Sequence, residues 1–166
     1  VLASRRPQSA LSGGPGTAPL MTSVSVIVPS IGTTGTVLGR ERVFVLEAVR
    51  SVLATAGVDI DLEVIVVSGR EMPAAVERHL IELGGGSDRG GGSGGAVRCV
   101  DYDAPFNFSA TVNLGAAHAR GEHLLLLNDD TEVISPDWLD RMVDALAAPG
   151  VGAVGARLLF EDGTLQ

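Results

Sequence analysis

The sequence predicts an α/β fold, in which a mostly parallel sheet is covered by helices on both faces. Apolar runs of strand length alternate with segments of helical periodicity from about residue 23 onward. The run Leu124–Leu127 is four consecutive leucines, as expected for a strand buried on both faces of a parallel sheet. With 45% hydrophobic and 19% charged residues, the chain can also form a proper core.

The predicted elements alternate strictly, as in a doubly wound sheet with right-handed crossovers. Strands are predicted at 24–28, 62–67, 97–102, 122–127 and 151–160, and helices at 41–55, 73–83, 109–120 and 135–148. We expect Pro29 to end the first strand because proline lacks the N–H that a strand interior needs. Ser109 and Ser135 are expected at helix N-caps. A turn is predicted at Asp162-Gly163.

Three segments are predicted to lie outside the regular elements. Residues 1–22, rich in Ser, Gly, Pro and Ala, are expected to be a disordered leader to a single domain at 23–166. Met21 could then be the start of translation. Residues 31–39 read as a Gly/Thr-rich loop, and residues 84–95, with eight glycines in twelve positions, as a flexible surface loop.

Charge and composition exclude several classes of function. The net charge of −8 argues against a nucleic-acid partner, because binding to phosphates by counterion release requires a basic surface. A single cysteine, Cys99, cannot form an internal disulfide. No apolar run approaches the roughly 18 residues of a membrane-spanning helix. We therefore expect a cytoplasmic protein.

The candidate site follows the leucine run directly. Asn128, Asp129 and Asp130 offer oxygen ligands where a parallel strand ends, which is the edge at which open α/β sheets bind ligands. Mg²⁺ or Mn²⁺ favours one or two carboxylates together with substrate phosphates, and Glu132 could share the ion. Glycine-rich phosphate-loop motifs are absent, so a metal bridge is the expected diphosphate holder. Asn and Asp are also common turn residues, which is the alternative explanation.

Several motifs together closely resemble family 2 glycosyltransferases over residues 23–166, above all the bacterial branch that acts on rhamnan, O-antigen and other cell-surface polysaccharides. They are V-S-V-I-V-P at 24–29, D-A-P-F-N-F-S-A at 103–110, N-L-G at 113–115, R-G-E at 120–122, L-N-D-D-T-E-V at 127–133 and S-P-D-W-L at 135–139. The resemblance implies the GT-A fold, a nucleotide-diphosphate-sugar donor, inverting hexosyl or rhamnosyl transfer, and Mg²⁺ or Mn²⁺.

The resemblance also implies roles for individual residues. The family's D-x-D motif falls on residues 128–130, with Asp130 as the expected metal ligand and Asp129 as the second. The residues expected on the donor side are Pro29, Ser30, Ser68, Asn107, Asn113, Asn128 and Asp129. Three of them depart from the family pattern. Ser68 and Asn128 stand where relatives often carry an acid, and Ser30 stands where relatives often carry Thr, a milder change that keeps the hydroxyl. The family's general base is expected beyond Gln166, in a part that this chain lacks, so the chain is predicted to be a truncated domain that binds donor with little transfer.

The implied acceptor is a glycan or a lipid-linked glycan, and the full-length protein could associate peripherally with the inner face of the membrane. Two other functions stay open at this point. One is a catalytically inactive nucleotide-sugar-binding module, or a truncated gene product. The other is a nucleotidyltransferase, of which Arg40 and Arg42 are only a faint sign.

Overall fold

A computed structural model describes residues 1–5, 21–57, 59–86 and 96–166. Its strands are β1 (Leu2–Ser4), β2 (Thr22–Ser30), β3 (Thr34–Val37), β4 (Arg40–Val43), β5 (Ile60–Gly69), β6 (Val97–Tyr102), β7 (His123–Leu126) and β8 (Ala153–Val154). Its helices are α1 (Phe44–Thr55), α2 (Ala74–Leu83), α3 (Phe108–His118) and α4 (Trp138–Leu146). No helix in these described ranges is long and apolar enough to cross a membrane.

Among the described residues, six strands form one sheet in the order β6-β5-β2-β7-β1-β8. The strands β6, β5, β2 and β7 run parallel, whereas β1 is antiparallel to both β7 and β8. The predicted α/β class with a mostly parallel sheet is therefore confirmed, and the architecture is consistent with the GT-A fold.

The core lies on both faces of this sheet. On one face α1, α2 and α4 pack against alternate side chains of the central strands, such as Val26, Val64 and Leu125. On the other face α3 covers Ile27, Ile65 and Val67. The central strands are buried on both faces for this reason, and they carry the Val/Ile/Leu runs that predicted them.

Residues 31–39 do not form the predicted loop. Instead β3 and β4 pair antiparallel as a separate two-stranded sheet, the β3–β4 hairpin, which pairs Thr34 with Val43. Its turn has two central residues with positive φ, Leu38 (50°) and Gly39 (77°). Such turns match the twist of paired strands. Helix α1 consequently begins at Phe44, three residues later than predicted.

The prediction that Pro29 ends the first strand is wrong. Strand β2 continues to Ser30, with Pro29 in register with Val67 of β5. On its other side β2 pairs with β7 only as far as Ile27. Residues alternate along a strand, so the nitrogen of Pro29 points to the same side as Ile27, where the ladder has already ended. A missing N–H costs no sheet hydrogen bond there.

The predicted ends of three further elements also change. Helix α3 is capped by Asn107, whose Oδ1 accepts from the N–H of Ala110 at 3.0 Å, and not by Ser109. Helix α4 begins at Trp138 after an N-cap at Asp137, so Ser135 lies before the helix. The last strand shrinks to Ala153–Val154, while the turn at Asp162-Gly163 is confirmed by the positive φ of Gly163.

The first residues of the expected leader belong to the sheet. Leu2 is fully buried and pairs with Leu125 of β7 and Val154 of β8. Arg5 extends this contact, because its backbone N–H donates to the carbonyl oxygen of Glu122 at 2.9 Å. The prediction of disorder is thus wrong for residues 2–4. Residues 6–20 of the leader and 87–95 of the glycine-rich loop lie outside the described residues.

A polar network at the amino ends of the parallel strands holds the turn that enters β7. The Glu63 carboxylate accepts from Ser25 Oγ (2.5 Å), the backbone N–H of Arg120 (2.5 Å) and Arg98 Nη2 (3.3 Å). Gly121 lies so close to β2 that an added Cβ would sit 2.6 Å from the backbone nitrogen of Ser25. The start of β7 is thereby fixed against β2 and β5.

The charge state of Glu63 follows from this network. Burial would raise the pKa of Glu63, but the hydrogen bonds from Ser25 and the Arg120 backbone, together with the Arg98 charge, outweigh burial and leave that pKa below the usual glutamate range. Its ionised form therefore stabilises the fold above the unfolded-chain value of about 4.3. That contribution is lost as the pH falls through the lower pKa of the folded state.

We predict that Leu2→Ala lowers the free energy of unfolding by about 2–5 kcal/mol, because it empties a buried site between β7 and α4. Urea unfolding measures the effect, with Val1→Ala as the control, since Val1 is 58% exposed. Equal unfolding midpoints for the two variants would show that β1 contributes nothing to the sheet.

We predict that Glu63→Gln lowers the free energy of unfolding at pH 7 by about 2 kcal/mol, the scale of hydrogen bonds to a charged group. The loss should begin to shrink as the pH falls below the unfolded-chain value of about 4.3, and it should disappear once the pH has passed the lower pKa of Glu63 in the folded chain. Urea unfolding at a series of pH values tests this, with Glu82→Gln on the exposed side of α2 as the control. A loss that does not vary with pH would contradict the assignment.

Candidate functional site

The candidate site forms where β2 and β7 end side by side. Their parallel pairing aligns Ile27 with Leu126, so that Ser30 and the residues after β7 meet at the same edge of the sheet. Ser30 Oγ donates to Asp129 Oδ2 at 2.6 Å and accepts from the N–H of Gly32 at 3.0 Å. A single hydroxyl thus joins the loop after β2 to the acidic residues after β7.

The segment 128–133, here termed the acidic loop, is held at both ends. At its start the N–H of Leu127 donates to the carbonyl oxygen of Ile27 at 3.0 Å, which extends the β2–β7 pairing. At its end the N–H of Val133 donates to Ser51 Oγ of α1 at 2.9 Å. These contacts hold the loop in position without a ligand. Less conformational entropy would therefore be lost when a ligand binds.

Asp129 is held in an electrostatically unfavourable position. Burial raises its pKa, the hydrogen bond from Ser30 offsets part of that rise, and the neighbouring carboxylate of Asp130 raises it again. The pKa of Asp129 therefore lies above that of an ordinary aspartate. A cation bound beside Asp129 and Asp130 would relieve both the burial of charge and the repulsion.

A cavity of about 570 Å³ opens beside the acidic loop, within the size range of small-molecule sites. Asn128, Asp130 and Glu132 form one wall. The rest of the lining includes β4, α1 and the carboxyl-terminal segment, which contribute Arg42, Glu47, Arg157 and Phe160. The cavity therefore combines carboxylates, two guanidinium groups and an aromatic ring.

The structure brings together only part of the predicted site. Ser30, Asn128, Asp129 and Asp130 share one edge of the sheet, whereas Pro29 is buried within β2. Ser68 is in register with Ser30, and its buried Oγ has no hydrogen-bond partner among the described residues.

Two predicted asparagines do not line the cavity, although the structure describes both. Asn107 is exposed and uses its side-chain oxygen to cap α3. Asn113 is exposed in the middle of that helix. Their predicted contacts with the donor stay predictions.

The residues present fit a divalent cation that is shared with a substrate. Within the described ranges no group of three or more His, Cys, Asp or Glu side chains is arranged to hold a metal by itself. Asp129 and Asp130 still supply two carboxylates, which is the protein share that Mg²⁺ takes when phosphates and water complete its shell.

Arg42 and Arg157 of the cavity were not predicted as site residues. Arg42 falls within the segment predicted as a helix, where its position on the face of a strand could not be foreseen. Its Nη1 lies 3.4 Å from Oε2 of Glu132, which belongs to the acidic loop. Arg157 falls in a predicted strand that the structure shows as irregular chain.

Comparison with known proteins gives one family and two relatives. The profile of the family described as Glycosyl transferase family 2 matches residues 25–166. The uncharacterized protein y4gI of Sinorhizobium fredii is 40% identical over 147 residues, which cover 86% of this chain and 14% of that protein. The O-antigen biosynthesis protein RfbC of Myxococcus xanthus is 52% identical over 67 residues, or 40% of this chain and 5% of RfbC. The chain thus spans a small part of the length of both relatives.

We predict that Asp129→Asn stabilises the metal-free chain at pH 7 by about 1 kcal/mol or less, because it removes a partly buried charge beside Asp130 and leaves an oxygen that accepts from Ser30. The gain should fade as the pH falls through the raised pKa of Asp129, since the native side chain is then protonated as well. Thermal unfolding between pH 7 and pH 3.5 tests this, with Asp144→Asn as the exposed control. A destabilised Asp129→Asn chain at pH 7 would contradict the prediction.

Proposed function

Because this chain belongs to Glycosyl transferase family 2, we propose that it is the donor-binding part of a metal-dependent, inverting glycosyltransferase. The observation that carries the proposal is the Ser30–Asp129 hydrogen bond of 2.6 Å, which holds the acidic loop at the edge of the sheet, where Asp130 lines the cavity. This geometry supports a nucleotide-diphosphate sugar as the ligand and Mg²⁺ or Mn²⁺ as the cofactor.

Each acidic-loop residue has a distinct part in the proposal. Asp130 is exposed and lines the cavity, so it is the first ligand of the cation. Asp129 is the second, since Ser30 occupies only one of its two carboxylate oxygens. Asn128 is neutral and lines the same wall, where it suits a contact to ribose or to a bound water.

The transfer is proposed to be an in-line displacement at the anomeric carbon of the sugar. The bound cation would supply positive charge for the departing diphosphate. Asp129 and Asp130 orient the donor, and the walls of the cavity limit the access of water. Deprotonation of the acceptor hydroxyl requires a base, which the resemblance places beyond Gln166. A positioned base contributes about 10²–10⁴ in rate.

The proposed process is the synthesis of a cell-surface polysaccharide. Its support is the 52% identity to a protein named for O-antigen biosynthesis, over a stretch of 67 residues. On this proposal the acceptor is a glycan or lipid-linked glycan, and the whole protein works in the cytoplasm, at the inner face of the membrane. Hexosyl or rhamnosyl transfer is the proposed reaction class.

The test is calorimetric titration of the chain with UDP, GDP and dTDP, each with and without Mn²⁺. We expect one nucleotide to bind in a metal-dependent manner, and Asp130→Ala to weaken that binding roughly tenfold or more because a cation ligand is lost. Asp144→Ala, which removes the same charge from the exposed side of α4, is the matched control and should bind normally. Binding that ignores both Mn²⁺ and Asp130→Ala would refute the proposal.

A further inference from the structure

We infer that Arg42 is a donor-binding residue, which exchanges its carboxylate partners for the diphosphate of the nucleotide sugar. The inference rests on the proposed function and deepens it. It concerns the β3–β4 hairpin, which the sequence did not predict and which is separate from the acidic loop.

The hairpin carries Arg42 to the cavity, where its guanidinium lies beside two of the carboxylates, those of Glu132 and Glu47. Arg42 lines the cavity together with Asp130 and Asn128. Its guanidinium Nη1 lies 3.4 Å from Glu132 Oε2 and 4.0 Å from Glu47 Oε2. The side chain is 26% exposed, so it faces the open space of the cavity and is not sealed in the core.

The position of Arg42 is set by the hairpin itself. The N–H of Phe44 donates to the carbonyl oxygen of Thr33 at 3.1 Å and closes the base of the hairpin. Gly35 lies against the Phe44 ring so closely that an added Cβ would sit 2.4 Å from its Cζ atom. Arg42 would therefore stay at the cavity if its carboxylate partners were released.

Those partners are weakly held and replaceable. Glu47 has a closer partner, because Arg50 Nη1 lies 2.7 Å from its Oε1. Glu132 is 58% exposed, and ion pairs of that kind are screened by water and salt. Neither carboxylate is stranded in the core when Arg42 turns toward a ligand.

A diphosphate beside Asp130 is the ligand that best replaces these partners. Guanidinium groups bind phosphate oxygens with two parallel hydrogen bonds, which are stronger than single exposed ion pairs. Asp129 and Asp130 would hold the cation, and the cation and the Arg42 guanidinium would together offset the negative charge of the diphosphate. Before ligand binds, the same arginine offsets the negative charge of the acidic loop.

The experiment separates these two roles of Arg42. Arg42→Ala should weaken the Mn²⁺-dependent binding of the nucleoside diphosphate roughly 10- to 100-fold in calorimetry, since hydrogen bonds to a charged group are lost. The same variant should bind Mn²⁺ alone as tightly as the native chain or more tightly, measured from free Mn²⁺ by electron paramagnetic resonance, because a cation has been removed from beside the acidic loop. Loss of folding would weaken both together.

Two control variants test whether the effect depends on the position of Arg42 and on its paired donors. Arg40→Ala removes the same charge from the exposed start of β4 and should leave both titrations unchanged. Arg42→Lys keeps the charge without the paired donors and should be intermediate for the diphosphate. Equal diphosphate affinity of the native and Arg42→Ala chains, with the metal dependence intact, would overturn this inference alone. Absence of any nucleotide binding by the native chain would overturn the proposed function and this inference with it.

Discussion

The parallel pairing of β2 with β7 is the constraint on which the site depends. The pairing runs from Val24 opposite His123 to Ile27 opposite Leu126, and both strands then end at the same edge. A shift of one residue would turn every side chain of β7 to the other face of the sheet. The contact between Ser30 and Asp129 exists because this register is kept.

The register is controlled far from the site, at the opposite edge of the sheet. Glu63 binds the backbone of Arg120, and the N–H of Gly121 donates to Ser25 Oγ at 2.7 Å, so the turn into β7 is tied to β5 and β2. Leu2 pairs with β7 on its other side. A polar network and an antiparallel strand thus hold β7 in place, and β7 in turn delivers the acidic loop. The contacts at the amino ends of the strands therefore also determine where the acidic loop lies at their carboxyl ends.

Charge at the site opposes stability in the metal-free chain. Asp129 is partly buried beside another carboxylate, an arrangement that raises its pKa and that a bound cation would relieve. The cavity adds Glu132 and Glu47, and Arg42 lies against both of them. A fold with a net charge of −8 gains nothing in stability from concentrating acids in one loop. Under the proposed function, a ligand that brings its own cation would account for their concentration.

Sequence patterns were sufficient for the central strands and the helices, because long apolar runs and helical periodicity report burial directly. Sequence patterns failed where contacts with another element of the fold decide the structure of a segment. Ser109 and Asn107 are both able to cap a helix, and only the path of the chain after β6 places Asn107 at the cap. The composition of the leader resembles disorder, yet Leu2 finds a place between β7 and β8. Pro29 was predicted to end the first strand because the sequence does not show that its nitrogen faces a side of β2 that has no partner strand at that position.

The sequence by itself determined the α/β class, the strand that leads to Asn128, Asp129 and Asp130, and the family to which the chain belongs. All of these depend on residues close together in the chain. Only the tertiary structure decided that Ser30 holds Asp129, that β1 joins the sheet beside β7, and that Arg42 lies beside Glu132 at the cavity. Each of these joins residues at least 90 positions apart, and such contacts are set by strand register and packing, which local sequence patterns do not encode.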